Sequence, residues 1–386
     1  MSSSARNACI TAFTCTALAL SGSGCLAPVG TNADAGVDEA STDASSLPPD
    51  VAMPPQPDAG MPPLQKVQMV MLRGDAETVT ISCDGGESWA YHAFNAAHLN
   101  DGDGPYSLTG LHYDGGAFYL SQGWGGSPPQ VNKATDGLDW KPVYQFPANV
   151  FLGSVIVSGV HIVLADGSDY RHSGNGGQSF ETATSDNGAR HLHGFKFNHN
   201  GVKMLEYGDG LITQSADLGL TWKTTYAPAA GVDTCATVIA YNENGLLVTI
   251  GQTGRVCTST DDGTTWQFTT QLNGFFYNHK IVWTGTQFLA YGGNSSTVFQ
   301  SVDGATWTTT SSTGFTPYNQ SVVFRNPATG KFYAYGSANT FYRSEDGLAW
   351  TLLPPAKQPA TTGGTEYMEQ LAMGSVDVGP GHPCYK

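Results

Sequence analysis

Ser259-Thr260-Asp261-Asp262-Gly263-Thr264-Thr265-Trp266 repeats a pattern that runs through most of the chain. The same long form, Ser-x-Asp-x-Gly-x-Ser/Thr-aromatic, returns as Ser82-x-Asp84-x-Gly86-x-Ser88-Trp89 and Ser215-x-Asp217-x-Gly219-x-Thr221-Trp222. It returns once more, altered, as Ser173-x-Asn175-x-Gly177-x-Ser179-Phe180. A form one residue shorter appears as Ala134-x-Asp136-Gly137-Leu138-Asp139-Trp140, Ser301-x-Asp303-Gly304-Ala305-Thr306-Trp307 and Ser344-x-Asp346-Gly347-Leu348-Ala349-Trp350. The final aromatics are 51, 40, 42, 44, 41 and 43 residues apart, which is the length of one four-stranded propeller blade. Each motif has the chemistry of a turn between two strands. The carboxylate accepts backbone N–H groups, Gly takes a positive φ, and the hydroxyls close local bonds. The aromatic then enters the next strand and buries its ring.

Between motifs each repeat holds two apolar runs joined by a turn, as in Ala236-TVIAYNENGLLVTIG, Lys280-IVWTGTQFLAYG and Ser321-VVFRNPATGKFYAYG. Every blade therefore reads as strands A, B, C and D from the inside out, with the motif joining C to D. The first repeat opens on Val67-QMVMLRG, a B strand with no A strand before it, and Tyr367-MEQLAMGS near the C-terminus reads as the missing one. The expectation is an all-β fold: a seven-bladed propeller of four-stranded antiparallel blades over residues 66–386, closed by a C-terminal inner strand in blade one. Closure removes an open sheet edge. The 48 Gly and the 13% charged residues suit short strands and tight turns better than helices.

The motifs resemble the Asp box, or BNR repeat, of the sialidase-like propellers, over residues 66 to about 376. In that family the boxes lie on the face opposite the active site. The working face is built there from D–A loops, B–C loops and the first residues of the A strands. A true sialidase is disfavoured. That family has six blades, three arginines on the substrate carboxylate, a Tyr–Glu nucleophile pair and an Arg-Ile-Pro type motif before the first box, where this chain has Met71-Leu72-Arg73-Gly74-Asp75. A photosystem assembly factor with the same repeats uses a basic patch, which this acidic chain lacks.

The chain carries a formal charge of -15. Residues 1–65 hold six acids and one base, leaving 26 acids against 16 bases in the remainder, a net −10. Nucleic acid needs a basic surface and is not an expected partner. Residues 1–25 read as an export signal. Arg6 stands before an apolar run from Ala8 to Leu20, too short to span a bilayer, and small residues precede Cys25. This resembles a bacterial lipoprotein signal in which Cys25 is lipidated, and Leu26 after it suits the outer membrane. Residues 26–65 contain no Lys or Arg and few large apolar residues, so they read as a disordered tether spanning on the order of 35 Å. Of the seven cysteines, Cys83, Cys235, Cys257 and Cys384 belong to the propeller. Strand ends place Cys83 near Cys384 and Cys235 near Cys257, giving two expected disulfides in an exported protein.

Aligning the A strands places Tyr106, Phe151, His191, Asp233, Tyr277, Tyr318 and Tyr367 in one ring at the mouth. Leu108, Gly153, His193, Cys235, His279, Gln320 and Glu369 follow two residues deeper, with Arg190 and Lys280 beside them. Three readings are open. A binding module would stack Tyr277, Tyr318 and Tyr367 on a glycan or a protein, with His279 hydrogen-bonding and Arg190 and the loop residue Trp124 assisting. A polysaccharide lyase or glycosidase would draw its catalytic groups from His279, Tyr277, Tyr318, Tyr367 and His193. Such a site could place a divalent metal on His193, His279 and Gln320. A structural reading leaves the same residues lining a wet channel. No cofactor is called for, and a monomer is expected. Binding and structural readings rank ahead of catalysis, because a propeller scaffold does not specify a chemistry. Replacing Cys25 by Ala should release the protein from the membrane fraction; unchanged membrane fractionation of that variant would exclude the lipid anchor.

Overall fold

The computed structural model describes residues 63–73, 78–93, 108–123, 129–147, 150–167, 169–186, 194–198, 200–208, 210–274, 280–292, 295–317, 322–336, 340–359 and 370–386. These fall in the compact unit Met61–Lys386 and form seven sheets. Blade one is built, from the inside out, of Gln370–Val378, Gln65–Arg73, Thr78–Ser82 and Ala90–Ala93. Blades two to seven occupy 108–145, 155–182, 194–226, 238–271, 280–311 and 322–352. Their inner strands are Leu108–Tyr113, Val155–Ser158, Gly194–Phe197, Val238–Tyr241, Lys280–Trp283 and Val322–Arg325. The expected closure is present. Gln65–Arg73 pairs antiparallel with Gln370–Val378 over nine residues, from Gln65↔Val378 to Arg73↔Gln370.

Alternation along each strand sends successive side chains to opposite faces, so every blade packs against both neighbours. In blade one, Met69 and Met71 join Phe118, Leu120 and Trp140 of blade two. Val70 and Leu72, one residue out of phase, join Phe324, Tyr333 and Phe341 of blade seven. The other five apolar clusters fill the remaining five seams, one between each pair of neighbouring blades. The core is therefore a ring of seams, not one central mass.

The repeated motifs set these seams. In the first, Ser88 N donates to Asp84 Oδ1 at 2.8 Å, Gly86 N to Ser82 Oγ at 2.7 Å, and Trp89 Nε1 to Gly86 O at 2.9 Å. The short form reaches the same result, with Leu348 N and Ala349 N on Asp346 Oδ1 at 2.8 and 2.9 Å. Asn175 keeps the acceptor through Oδ1, to which Ser179 N donates at 3.1 Å, and adds a donor to Ser179 Oγ. The motif glycine also meets the preceding blade. A Cβ on Gly347 would lie 2.8 Å from Leu289 Cδ1, and one on Gly219 would lie 2.1 Å from Val163 Cγ2. The motif aromatics sit in the same seams, Trp350 in the cluster shared with blade six and Trp222 in the one shared with blade three.

The closing seam carries a polar lock as well. Glu87, inside the first motif, accepts from Lys331 Nζ at 3.0 Å, Tyr333 Oη at 3.1 Å and Arg343 Nη1 at 2.9 Å, all from blade seven. Burial works against its charge, but the bonds from Lys331, Arg343 and Tyr333 outweigh it and hold the carboxyl below its ordinary range. Both expected disulfides form, Cys83–Cys384 and Cys235–Cys257. One feature departs from the sequence expectation. The outer strand of blade three shrinks to Glu181–Thr182, and Thr184–Ser185 pairs parallel with Thr221–Tyr226 as a fifth strand of blade four. Ala183 N donates back to Tyr170 O and Thr184 N onward to Leu220 O, so the backbone changes sheets within two residues.

Cys83 and Cys384 are 301 residues apart in sequence, so their bridge restrains nearly the whole ring in the unfolded chain. Replacing both by Ser should lower stability by roughly 2–5 kcal/mol in equilibrium urea unfolding. An unchanged midpoint would show that the bridge does not hold the closure.

Candidate functional site

The inner strand of each blade has one unpaired edge toward the axis, and its polar groups need partners. Neighbouring blades supply several. Gln370 of blade one accepts from Leu111 N at 2.6 Å and donates to Ser154 Oγ at 3.2 Å, bridging blades one, two and three. His112 Nε2 donates to Val157 O at 3.0 Å, and Lys196 Nζ to Ile239 O at 3.1 Å. Desolvation pushes the His112 ring down to about 4 and the Lys196 amine down to about 8. His112 is therefore neutral near pH 7, and Lys196 carries the charge, 5.7 Å from the centre of the Tyr241 ring.

His112 and Phe197 hold their rings 5.8 Å apart. They belong to blades two and four, which are not neighbours in the ring and can meet only near the axis. His112 stands one residue before the end of its inner strand and Phe197 at the end of its own, where the chain turns back on the motif side. The axis is thus narrowed on the motif side, and a ligand would approach it from the end where the inner strands begin.

On the crossings that lead to those strand starts, described side chains are few. Phe151 is half exposed before the inner strand of blade three, and Asp233 is exposed before that of blade five. Between blades six and seven, Ser312, Gly314, Phe315, Thr316 and Tyr342 line a hollow of about 430 Å³, within the range of small-ligand sites. Its walls are fixed. Ser312 Oγ donates to Phe315 O at 2.9 Å and Ser312 N to Ser296 O at 2.7 Å. The Phe315 and Tyr342 rings are 4.9 Å apart at 43°. Gly336 leaves room for both, since a Cβ there would lie 2.8 Å from Tyr342 Cε2 and 3.2 Å from Phe315 Cε2. The crossing that carries Phe315 runs directly on in sequence to Tyr318.

Most residues singled out from the sequence, namely Tyr277, His279, Tyr318, Gln320, Tyr367, Trp124, Arg190 and His193, lie outside the described residues, as do Tyr106, His191, Glu369 and the anchor candidate Cys25. Of the expected ring only Phe151, Gly153, Asp233 and Cys235 can be placed in full. Cys235 offers nothing to a ligand, because it is fully buried and bonded to Cys257. The sequence reading missed Phe315, Tyr342, His112 and Lys196. The last two stand one residue before the ends of their inner strands, a position the alignment of strand starts did not test. Among the described residues no three His, Cys, Asp or Glu side chains converge as a metal site.

One further titratable group lies deep between blades three and four. Glu206 is 1% exposed; its Oε2 accepts from Tyr170 Oη and, at 3.2 Å, from Thr213 Oγ1, while Oε1 has no partner. Tyr170 in turn stacks on Trp222, with ring centres 4.3 Å apart. Desolvation outweighs these bonds and pushes the carboxyl up to about 8. Glu206 is thus enclosed in the seam between blades three and four.

No protein-family model matches the chain, and no curated protein matches it in sequence. Solved structures do match in fold. A propeller named YCF48, bound to a D1 peptide, is 12% identical with a TM-score of 0.51, covering 80% of this chain and 99% of that one. An ancestral GH74 enzyme is 17% identical with a TM-score of 0.52, covering 82% of this chain and 49% of that one. A 6-phosphogluconolactonase-like protein from Bacteroides uniformis is 11% identical with a TM-score of 0.54, covering 80% and 100%. At these identities the likeness extends to the β-propeller fold alone.

The raised carboxyl of Glu206 makes stability depend on pH. Its proton is bound more tightly in the folded state, so its contribution is fully present below 4.5 and is lost as pH rises through about 8. Glu206→Gln should remove this decline, stabilising the protein near pH 8 by roughly a few kcal/mol relative to the parent. Parallel stability–pH profiles for the two proteins in urea would contradict the assignment.

Proposed function

We propose that this protein is an exported, lipid-anchored Asp-box propeller that works as a ligand-binding module, holding a glycan or a protein on the crossings between blades six, seven and one. The hollow between Phe315 and Tyr342 carries this reading. It is preformed, walled by two aromatic rings and edged by the hydroxyls of Ser312 and Thr316, and it opens on the crossing that continues to Tyr318. Sugar rings and peptide side chains both suit such a surface, with apolar faces to stack and polar edges to bond. Tyr318, Tyr367, Tyr277 and His279, with Arg190 and Trp124, remain the proposed further ligand contacts; all six lie outside the described residues. The anchor at Cys25 and the tether of residues 26–65 would hold the propeller off an outer-membrane surface. A peptide-bound propeller among the structural neighbours is compatible with a protein ligand.

Screening the full chain against glycans, and against the exported proteins of its own cell, would identify the ligand class. For a ligand found this way, Tyr342→Ala and Tyr318→Ala should each weaken binding by roughly 1–3 kcal/mol. Asp303→Ala, in a motif, should lower stability while the folded fraction keeps its affinity. His279→Ala separates binding from catalysis: a binder loses modest affinity, whereas an enzyme loses turnover with affinity nearly kept. Normal affinity in both tyrosine variants would move the site off this sector.

A further inference from the structure

Blade three carries two histidines that its register brings face to face. In its antiparallel ladder His172 pairs with Val163 on one side and with Glu181 on the other. Residues two apart along a strand share a face, so His161 stands on the same face as His172, diagonally across the ladder. Glu181 stands on that face too. The row His161, His172, Glu181 thus crosses three adjacent strands.

The geometry within the row is close. His161 Nδ1 lies 3.1 Å from His172 Nε2, with ring centres 5.4 Å apart, so the two nitrogens point at each other nearly head-on. His172 is 3% exposed; its other nitrogen, Nδ1, makes no hydrogen bond and has Glu181 Oε1 3.8 Å away. Gly174 closes over the pair, since a Cβ there would lie 3.4 Å from His172 Cε1 and 3.8 Å from His161 Cε1. The face looks toward the third long-form motif, in blade four, where Gly219 meets Val163 and Asp217 adds a negative field. Burial and the neighbouring His161 hold His172 below the ordinary imidazole range, against the opposing pull of Glu181 and Asp217. The motif of blade three itself carries neutral Asn175 where the other six have Asp.

We propose that His161 and His172 form a binding site for a divalent transition metal of the Zn²⁺, Ni²⁺ or Cu²⁺ class, with His161 Nδ1 and His172 Nε2 as ligands. Water completes the coordination shell. Glu181 Oε1, 3.8 Å from His172 Nδ1, would close in to accept its hydrogen when the metal binds, fixing the tautomer that leaves Nε2 free and raising its basicity. Neutral imidazoles suit these ions, and two of them on one tetrahedral Zn²⁺ at about 2.0–2.1 Å stand roughly 3.3 Å apart. The pair needs only a slight parting from its 3.1 Å separation and a turn of the partly exposed His161 ring, which sits at the end of a tight turn through Gly159. The same row on a propeller edge needs no contact with the crossings proposed to bind ligand, so the metal site stands or falls separately.

The test is calorimetric titration of the full chain with Zn²⁺ alone at neutral pH, comparing the parent with His161→Ala and Glu181→Gln. The expected result is one site in the parent that His161→Ala abolishes and Glu181→Gln weakens by about 10–100-fold. Zn²⁺ should also raise the Tm of the parent and not that of His161→Ala. Glu181 is exposed, so Glu181→Gln should fold as the parent does, and a folding defect in the histidine variant does not decide the matter. The proposal is overturned if the parent binds Zn²⁺ no tighter than about 1 mM. It is equally overturned if His161→Ala binds as the parent does, which would place the metal on other histidines.

Discussion

A four-stranded blade cannot bury its two faces by itself. Each face is apolar, and each finds cover only against the next blade, so the ring has seven seams or it has two bare faces. The pairing of Gln65–Arg73 with Gln370–Val378 decides between these outcomes, because it makes blade one out of both ends of the propeller. Met69 and Met71 then face blade two while Val70 and Leu72 face blade seven, and neither face is left to water. The Cys83–Cys384 bridge and the bonds that converge on Glu87 lie at the same closure. Covalent, polar and apolar contributions therefore reinforce the junction on which the other six seams depend.

The repeated motif is the device that makes those seams alike. Its hydroxyl and carboxylate hold a turn whose glycine can come within van der Waals reach of the preceding blade, and its aromatic ring fills the same gap. A methyl group at Gly219 would overlap Val163, and one at Gly347 would overlap Leu289, so the glycine is required by packing between blades as well as by its own positive φ. This commits the motif end of the propeller to stability. His112 and Phe197 narrow the axis on that side. At the opposite end the crossings between blades differ in sequence length and residue type, the usual pattern where loops carry binding residues.

Much of this was legible in the sequence, for a physical reason. A blade is a repeated unit, and repetition survives when each position answers to the same neighbours. Trp89 and Trp350 recur because the same gap recurs. The Val67 strand without an inner partner implied the C-terminal strand, and the strand ends implied both disulfides. Features that depend on one seam alone were not legible. The altered motif copy with Asn175 gave no sign that its blade has an outer strand cut to Glu181–Thr182 and a chain that crosses early to blade four. The Phe315–Tyr342 hollow joins a crossing residue to a strand residue of blade seven that no spacing connects. Lys196 and His112 looked like ordinary strand residues, and only the ring shows that each reaches the inner strand of the next blade.

Native-state hydrogen exchange tests the closure most directly, because it reads the opening of blade one without altering a residue. If the ring is a single cooperative unit, the amides of Val70, Leu72 and Ala372 should open with the same free energy, and the same denaturant dependence, as those of Leu205, Leu247 and Leu289 in distant blades. Exchange of the blade-one amides through a lower-energy, denaturant-insensitive opening would contradict the account, because the propeller would then stand without its closing strand.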